Sequence, residues 1–238
     1  MKKLMALLPV LFAASFVFAQ DKIIYDANAE KREIGSFHAI EVSNGIRLII
    51  KQGNEEAVAV SASSGEIRNR IKTEISNGKL KIYFDNHGWH DWSVKKNMKA
   101  YVSIKNIDLL QVNSGADAST DGNINANDLS IDLSSGADFD GTVTATHLDI
   151  DQSSGSDMHI KGKVNELNIT VSSGADFNGY DLVADKCKAD ASSGSDIEIT
   201  VNKELQAQAS SGGDINYKGN AVITNVSNSS GGKIKKQG

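Results

Sequence analysis

The chain has 238 residues, a formal net charge of −5, one cysteine and one proline. A lone cysteine excludes an intrachain disulfide framework, so stability has to come from packing and backbone hydrogen bonds. Residues 113–238 carry 18 acids against 9 lysines, and residues 20–112 carry 12 acids against 14 lysines and arginines; the acidic half argues against nucleic acid, whose phosphates need a cationic groove.

The chain begins with Lys2 and Lys3 followed by the apolar run "LMALLPVLFAASFVF", which is short for a membrane span and has the layout of a signal peptide. Val17 and Ala19 place small residues at −3 and −1 of a cut before Gln20. Residues 1–19 are therefore expected to leave on export, with residues 20–32 as a leader of the mature chain. No later segment is apolar enough to span a bilayer. The expected location is the periplasm, the outer-membrane surface or the extracellular space. The only proline, Pro9, falls in the signal, which leaves a mature chain suited to long backbone ladders.

Between residues 33 and 112 the pattern is β. "FHAIEV", "IRLIIKQ", "AVAVSA", "KLKIYF" and "KAYVSIK" read as strands, with "SNG", "QGN" and "ISNG" as turns. "SSGEIRNRIKTEI" fits a short helix or a strand. "DNHGWHDW" (residues 85–92) gathers Trp89 and Trp92 with His87 and His90. Its rings could stack on sugars or anchor a partner. The alternative is a loop folded back over the end of the domain, and an i,i+3 histidine pair is a weak metal signal.

From residue 113 onward the chain repeats. A turn glycine recurs at Gly115, Gly136, Gly155, Gly174, Gly194, Gly212 and Gly231, at intervals of 18 to 21 residues. Five residues before it lie Leu110, Ile131, Ile150, Ile169, Ala189, Ala207 and Val226; three after it lie Ala118, Phe139, Met158, Phe177, Ile197, Ile215 and Ile234. Polar residues fill the places between. Such alternation gives strands with one buried face, and coils of about 19 residues must stack at about 4.8 Å to bury it. The periodicity predicts an all-β protein: a parallel β-solenoid of about seven coils and about 30 Å, with residues 33–112 as a cap or continuation, one domain over 33–232 and a basic tail over 233–238. Glycine supplies the positive φ of each corner, and the neighbouring serines and aspartates are expected to bond the corner's backbone.

The segment "FHAIEVSNGIRLIIKQG", with Phe37, Ile40, Val42, Asn44, Gly45, Ile46, Leu48, Ile50, Gln52 and Gly53, together with the serine-glycine turns, resembles the auto-transporter adhesin head GIN domain family over about residues 33–232. The resemblance implies a right-handed parallel β-helix and a role in cell adhesion, and brings no catalytic residues to carry over. It favours an exported, non-enzymatic binding module whose partner is a cell-surface glycan or protein. The alternatives are a polysaccharide-binding or lyase-like β-helix and a purely structural envelope protein, and self-association into a homo-oligomer is compatible with any of them.

Asp117, Asp138, Asp157, Asp176, Asp196 and Asp214 follow each turn glycine by two residues and are expected to stack along one edge. Their mutual repulsion could be relieved by weakly held divalent cations; the plainer reading is that each bonds its own turn under solvent screening. One carboxylate per coil is too few for a dedicated metal site, so no metal and no cofactor are assigned. Cys187 falls in the apolar column of Leu129, Leu148, Leu167 and Leu205 and is expected to be a buried hydrophobe. His38, His147 and His159 show no partner column, and Lys161, Lys163, Lys186 and Lys188 no fixed place beside the acids, which leaves neither a Ser-His-Asp triad nor a lyase base.

Overall fold

The computed structural model describes residues 26–90 and 94–238. The expected signal segment, residues 1–19, and residues 20–25 of the expected leader lie outside the described residues. The strands are β1 (Glu30–Arg32), β2 (Ala39–Val42), β3 (Arg47–Gln52) and β4 (Ala57–Ser61); a short helix, α1 (Gly65–Arg70), leads into β5 (Ile71–Ser76), β6 (Lys79–Phe84), β7 (Lys99–Ile104) and β8 (Leu109–Val112). Five long strands follow: β9 (Asp117–Leu133), β10 (Asp138–Gln152), β11 (Asp157–Val171), β12 (Asp176–Ala191) and β13 (Asp196–Ala209). The chain closes with β14 (Asp214–Lys218), β15 (Val222–Asn228) and β16 (Lys233–Lys236). Among the described residues no helix is long and apolar enough to cross a membrane.

The architecture is a β-solenoid of about seven turns of about 19 residues. β9 through β13 pair in parallel, each with the next, and same-position residues lie in register: Ile131 beside Ile150, Ile150 beside Ile169, Ile169 beside Ala189 and Ala189 beside Ala207. All five are buried, as are Leu129, Leu148, Leu167, Cys187 and Leu205 in the next inward column. Each fully buried aliphatic or aromatic side chain stabilises the fold by about 1.5–3 kcal/mol. A column repeated in every coil multiplies that gain while each coil touches only its neighbours.

The corners explain the Ser-Gly spelling. Both residues of the pair are left-handed: the serines, from Ser114 to Ser230, have φ of 49° to 59°, and the glycines after them 64° to 85°. Two left-handed residues in succession turn the chain sharply, and a serine in that region is uncommon. The corner N–H groups are satisfied by the neighbouring coil: Gly136 donates to the Ser154 carbonyl at 3.1 Å, Gly155 to Ser173 at 3.2 Å and Gly174 to Ser193 at 3.1 Å. The backbone ladder thus runs through the bend. At two corners the serine after the glycine, rather than the serines expected before it, bonds the backbone of the turn. Ser156 Oγ donates to the Ser153 carbonyl at 3.0 Å, and Ser195 Oγ accepts from the Ser192 N–H at 3.0 Å.

Residues 33–112 both continue and cap the solenoid, in an order the sequence does not announce. β2 and β3, joined by the left-handed corner of Asn44 and Gly45, form a coil lying between two others. On one side β2 pairs with β8 and β3 with β9; on the other β2 pairs with β6 and β3 with β7, all in parallel. The chain thus lays down an inner coil, moves outward to the next, and returns to the far side of the first. β4, β1 and β5 close that end with antiparallel pairings. The ambiguous "SSGEIRNRIKTEI" is both things at once: α1, capped by the Ser64 hydroxyl accepting from Ile67 N–H at 3.3 Å, runs directly into β5. The expected basic tail is a paired strand, β16 lying beside β14.

Candidate binding surfaces

Because the inward columns fill the interior, the chemistry-bearing side chains stand on the outside in fixed rows. The first row is the aspartate ladder. Each aspartate opens its strand just past a corner, so parallel register sets Asp117, Asp138, Asp157, Asp176, Asp196 and Asp214 side by side. Partial burial, reinforced by the charges of Asp117 and Asp157, pushes the Asp138 carboxyl above its usual range; burial and the charges of Asp196 and Asp157 do the same at Asp176. The row is bracketed by cations. Arg47 occupies the rung before Asp117, 3.8 Å from its carboxylate, and Lys233 the rung after Asp214, at 3.6 Å. Between them a shallow trough of about 410 Å³ is lined by Asp157, His159, Asp176, Asn178, Asp196 and Glu198. Among the described residues no three His, Cys, Asp or Glu side chains converge as metal donors. The ladder presents a row of carboxylates along one edge of the solenoid.

The second row runs along the other flank and was missed in the sequence. Eight residues before the turn glycine lie Asp128, His147, Glu166, Lys186 and Glu204, in register across β9 to β13. His147 Nδ1 is 2.8 Å from Asp128 and its Nε2 3.6 Å from Glu166; Lys186 lies 3.8 Å from Glu166. His147 and Lys186 therefore do have a partner column, in which a histidine and a lysine alternate with carboxylates. No residue type recurs along it; what recurs is an acid beside a nitrogen base on the next coil. His38 also has a partner, Asp108, at 2.8 Å.

At the start of the aspartate ladder an open cleft of about 690 Å³ is lined by Asp26, Asn44, Arg47, Lys96, Lys99 and Asp117 among others. Burial of Asp26 is outweighed by hydrogen bonds from Tyr101, Asn28 and Ser61, which hold its carboxyl below the usual range; burial and that same carboxylate push the Tyr101 hydroxyl up to about 12.

Trp89 is half-buried and packs against the core, edge-on to Phe84 at 5.8 Å between centroids. The Arg70 guanidinium lies 5.3 Å and the Lys96 ammonium 5.6 Å from its ring centre. The ring thus closes the stretch between β6 and β7, where the neighbouring coils use a left-handed Asn-Gly or Ser-Gly corner. His87 and His90 are exposed, and Trp92 lies outside the described residues. Cys187 is buried, and burial pushes its thiol far up, away from the reactive thiolate.

The fold is thus a packed β-solenoid that carries its charged side chains in outer rows. The chain belongs to the family described as "Putative auto-transporter adhesin, head GIN domain", whose profile matches residues 36–221. No curated protein matches the sequence. Among solved structures, a "putative adhesin" from Bacteroides fragilis superposes with a TM-score of 0.77 at 17% identity, covering 88% of this chain and 96% of its own. A "putative lipid binding protein" from Parabacteroides distasonis gives 0.67 at 18%, covering 90% and 98%. A "putative adhesin" from Parabacteroides merdae gives 0.62 at 14%, covering 88% and 95%. At these identities the likeness is one of fold. The family and these neighbours are named as adhesins or binding proteins, not as enzymes.

Proposed function

We propose that the protein is an exported, non-enzymatic adhesion module that presents its charged flanks to a glycan or protein at the cell surface. The observation that carries this reading is that both outer rows are rungs of a continuous parallel ladder. Side chains on such a ladder are spaced about 4.8 Å apart on a rigid support, a geometry suited to repeating partners and poorly suited to closing around one small substrate. The family membership agrees with it. The exposed His87 and His90 lie at the capped end beside the half-buried Trp89, whose ring offers a partner aromatic stacking.

The test is protease shaving of intact cells followed by detection of the protein. The proposal expects its loss from unlysed cells; full protection until lysis would place it in the periplasm and remove the adhesion role. A glycan array with the wild type and Trp92→Ala then separates a sugar partner from a protein one. New ultraviolet absorbance on incubation with polyuronate would instead establish a lyase and overturn the non-enzymatic reading.

A further inference from the structure

The two ends of the solenoid are finished differently. At the N-terminal end the outermost strands are β1, three residues long and wholly charged (Glu30, Lys31, Arg32), and β5, which carries Lys72 and Glu74. Short, charged edge strands discourage pairing with other chains. At the C-terminal end β15 has seven residues, "VITNVSN", with no charge and every residue exposed. Val222 is 68%, Ile223 44% and Val226 46% exposed, and they are three of the four large exposed hydrophobics among the described residues. Ile223 and Val226 continue the inward columns of Leu205 and Ala207, so the core simply opens to solvent there. Among the described residues β15 pairs only with β13 and β16 only with β14, which leaves a row of outward N–H and C=O groups. Beside this edge, β16 carries Lys233, Lys235 and Lys236.

We propose that the C-terminal face is a docking site for an extended acidic segment of another protein, which adds as a further strand over β15 and β16. The unpaired backbone selects a strand: a lipid surface would bury those groups with no partner, whereas strand addition satisfies them. The lysines select the charge. A second copy meeting this one tail to tail would oppose lysine with lysine, which is unfavourable for directly facing residues. An incoming strand with acids at the two outward positions facing Lys233 and Lys235, and an apolar residue between them over Ile234, matches every feature of the edge. This chain shows that such a segment fits the coil geometry: "DFD" in β10 holds those positions, Asp138 being in the rung that Lys233 fills at the end. Lys233 also ends the aspartate row, but strand addition at this edge is tested without cells and independently of the adhesion proposal.

The probe is a labelled synthetic peptide of residues 128–141, "DLSIDLSSGADFDG", titrated into the full mature protein. Saturable one-to-one binding is expected, weakened at least tenfold by Lys233→Glu with Lys235→Glu, by Val226→Lys, and by N-methylation of alternate peptide nitrogens. Circular dichroism of each protein variant checks that it remains folded. The inference is overturned by absence of binding at 1 mM peptide or by equal binding of the N-methylated peptide. It is equally overturned by a concentration-dependent dimer that excludes the peptide, or by phosphatidylglycerol vesicles that bind the same face and displace it.

Discussion

Replacing Asp176 by asparagine removes one charge from the middle of the ladder while keeping the side chain's size and most of its hydrogen-bonding capacity. Its rung neighbours are Asp157 and Asp196, at about the 4.8 Å spacing of paired strands. Two unit charges at that distance repel by about 0.9 kcal/mol in water, and by roughly half that at physiological salt. Two neighbours therefore give about 1 kcal/mol at 0.15 M salt and somewhat less than 2 kcal/mol at very low salt. We expect Asp176→Asn to be more stable than the wild type by about 1 kcal/mol at pH 7, read from urea unfolding. The pH dependence follows from the direction of the shift. Burial and like charges raise the folded-state carboxyl above its ordinary value of 3.8, so the native state binds its proton more tightly than the unfolded chain. Stability from this group is fully present below that ordinary value and is lost as the pH rises through the raised one. The advantage of the variant should vanish at pH 3 and shrink in 1 M salt at pH 7. A salt-independent loss of 1 kcal/mol or more would refute the repulsion argument and show that the carboxylate holds its own corner together.

Other consequences are equally open to measurement. Ile150 lies between Ile131 and Ile169 in an inward column, and Ile150→Ala should cost about 2–5 kcal/mol in chemical denaturation, while Asp149→Ala on the outer face should stay within about 0.5 kcal/mol. A Cβ on Gly162, whose φ is +125°, would sit 1.9 Å from the Val143 carbonyl oxygen, whereas one on Gly155, with φ +64°, would meet nothing within 4 Å. Gly155→Ala should therefore cost only the conformational penalty of about 1–2 kcal/mol, and Gly162→Ala clearly more, as a larger fall in Tm. Cys187 should resist thiol reagents in the native protein and react only as fast as the fold opens, because burial holds it as the thiol.

The repeat was legible because a solenoid writes its third dimension into one: residues 19 apart in sequence become neighbours in space. The columns of Ile131 and Phe139 and the aspartate ladder follow from counting back and forward from each glycine. The Asp128–His147–Glu166–Lys186–Glu204 row obeys the same count, yet no residue type recurs in it, and an acid facing a nitrogen base leaves no repeated letter in the sequence. The corner serine's left-handed backbone was hidden because serine carries no steric licence for that region comparable to glycine's. The inside-out order of the first coils could not be read at all. The outer coil formed by β6 and β7 lacks the Ser-Gly corner and bridges it with a long segment around Trp89, so no spacing links it to the coil it covers. The open C-terminal edge is likewise a property of what fails to stack above β15, and composition alone presents "VITNVSN" as one more strand.

In-register stacking can be tested by cross-linking on a Cys187→Ala background. Asp151 and Thr170 are register partners, and so are Thr170 and Asp190, so cysteines at 151 and 170 should lie within the Cα separation of about 4.4–6.8 Å that a disulfide spans. Cysteines at 151 and 190 would be two rungs apart. Ready oxidation of the first pair with none in the second is the predicted result. Bridging of the second pair, or failure of the first in a protein with wild-type circular dichroism, would contradict the stacked coil on which the binding surfaces depend.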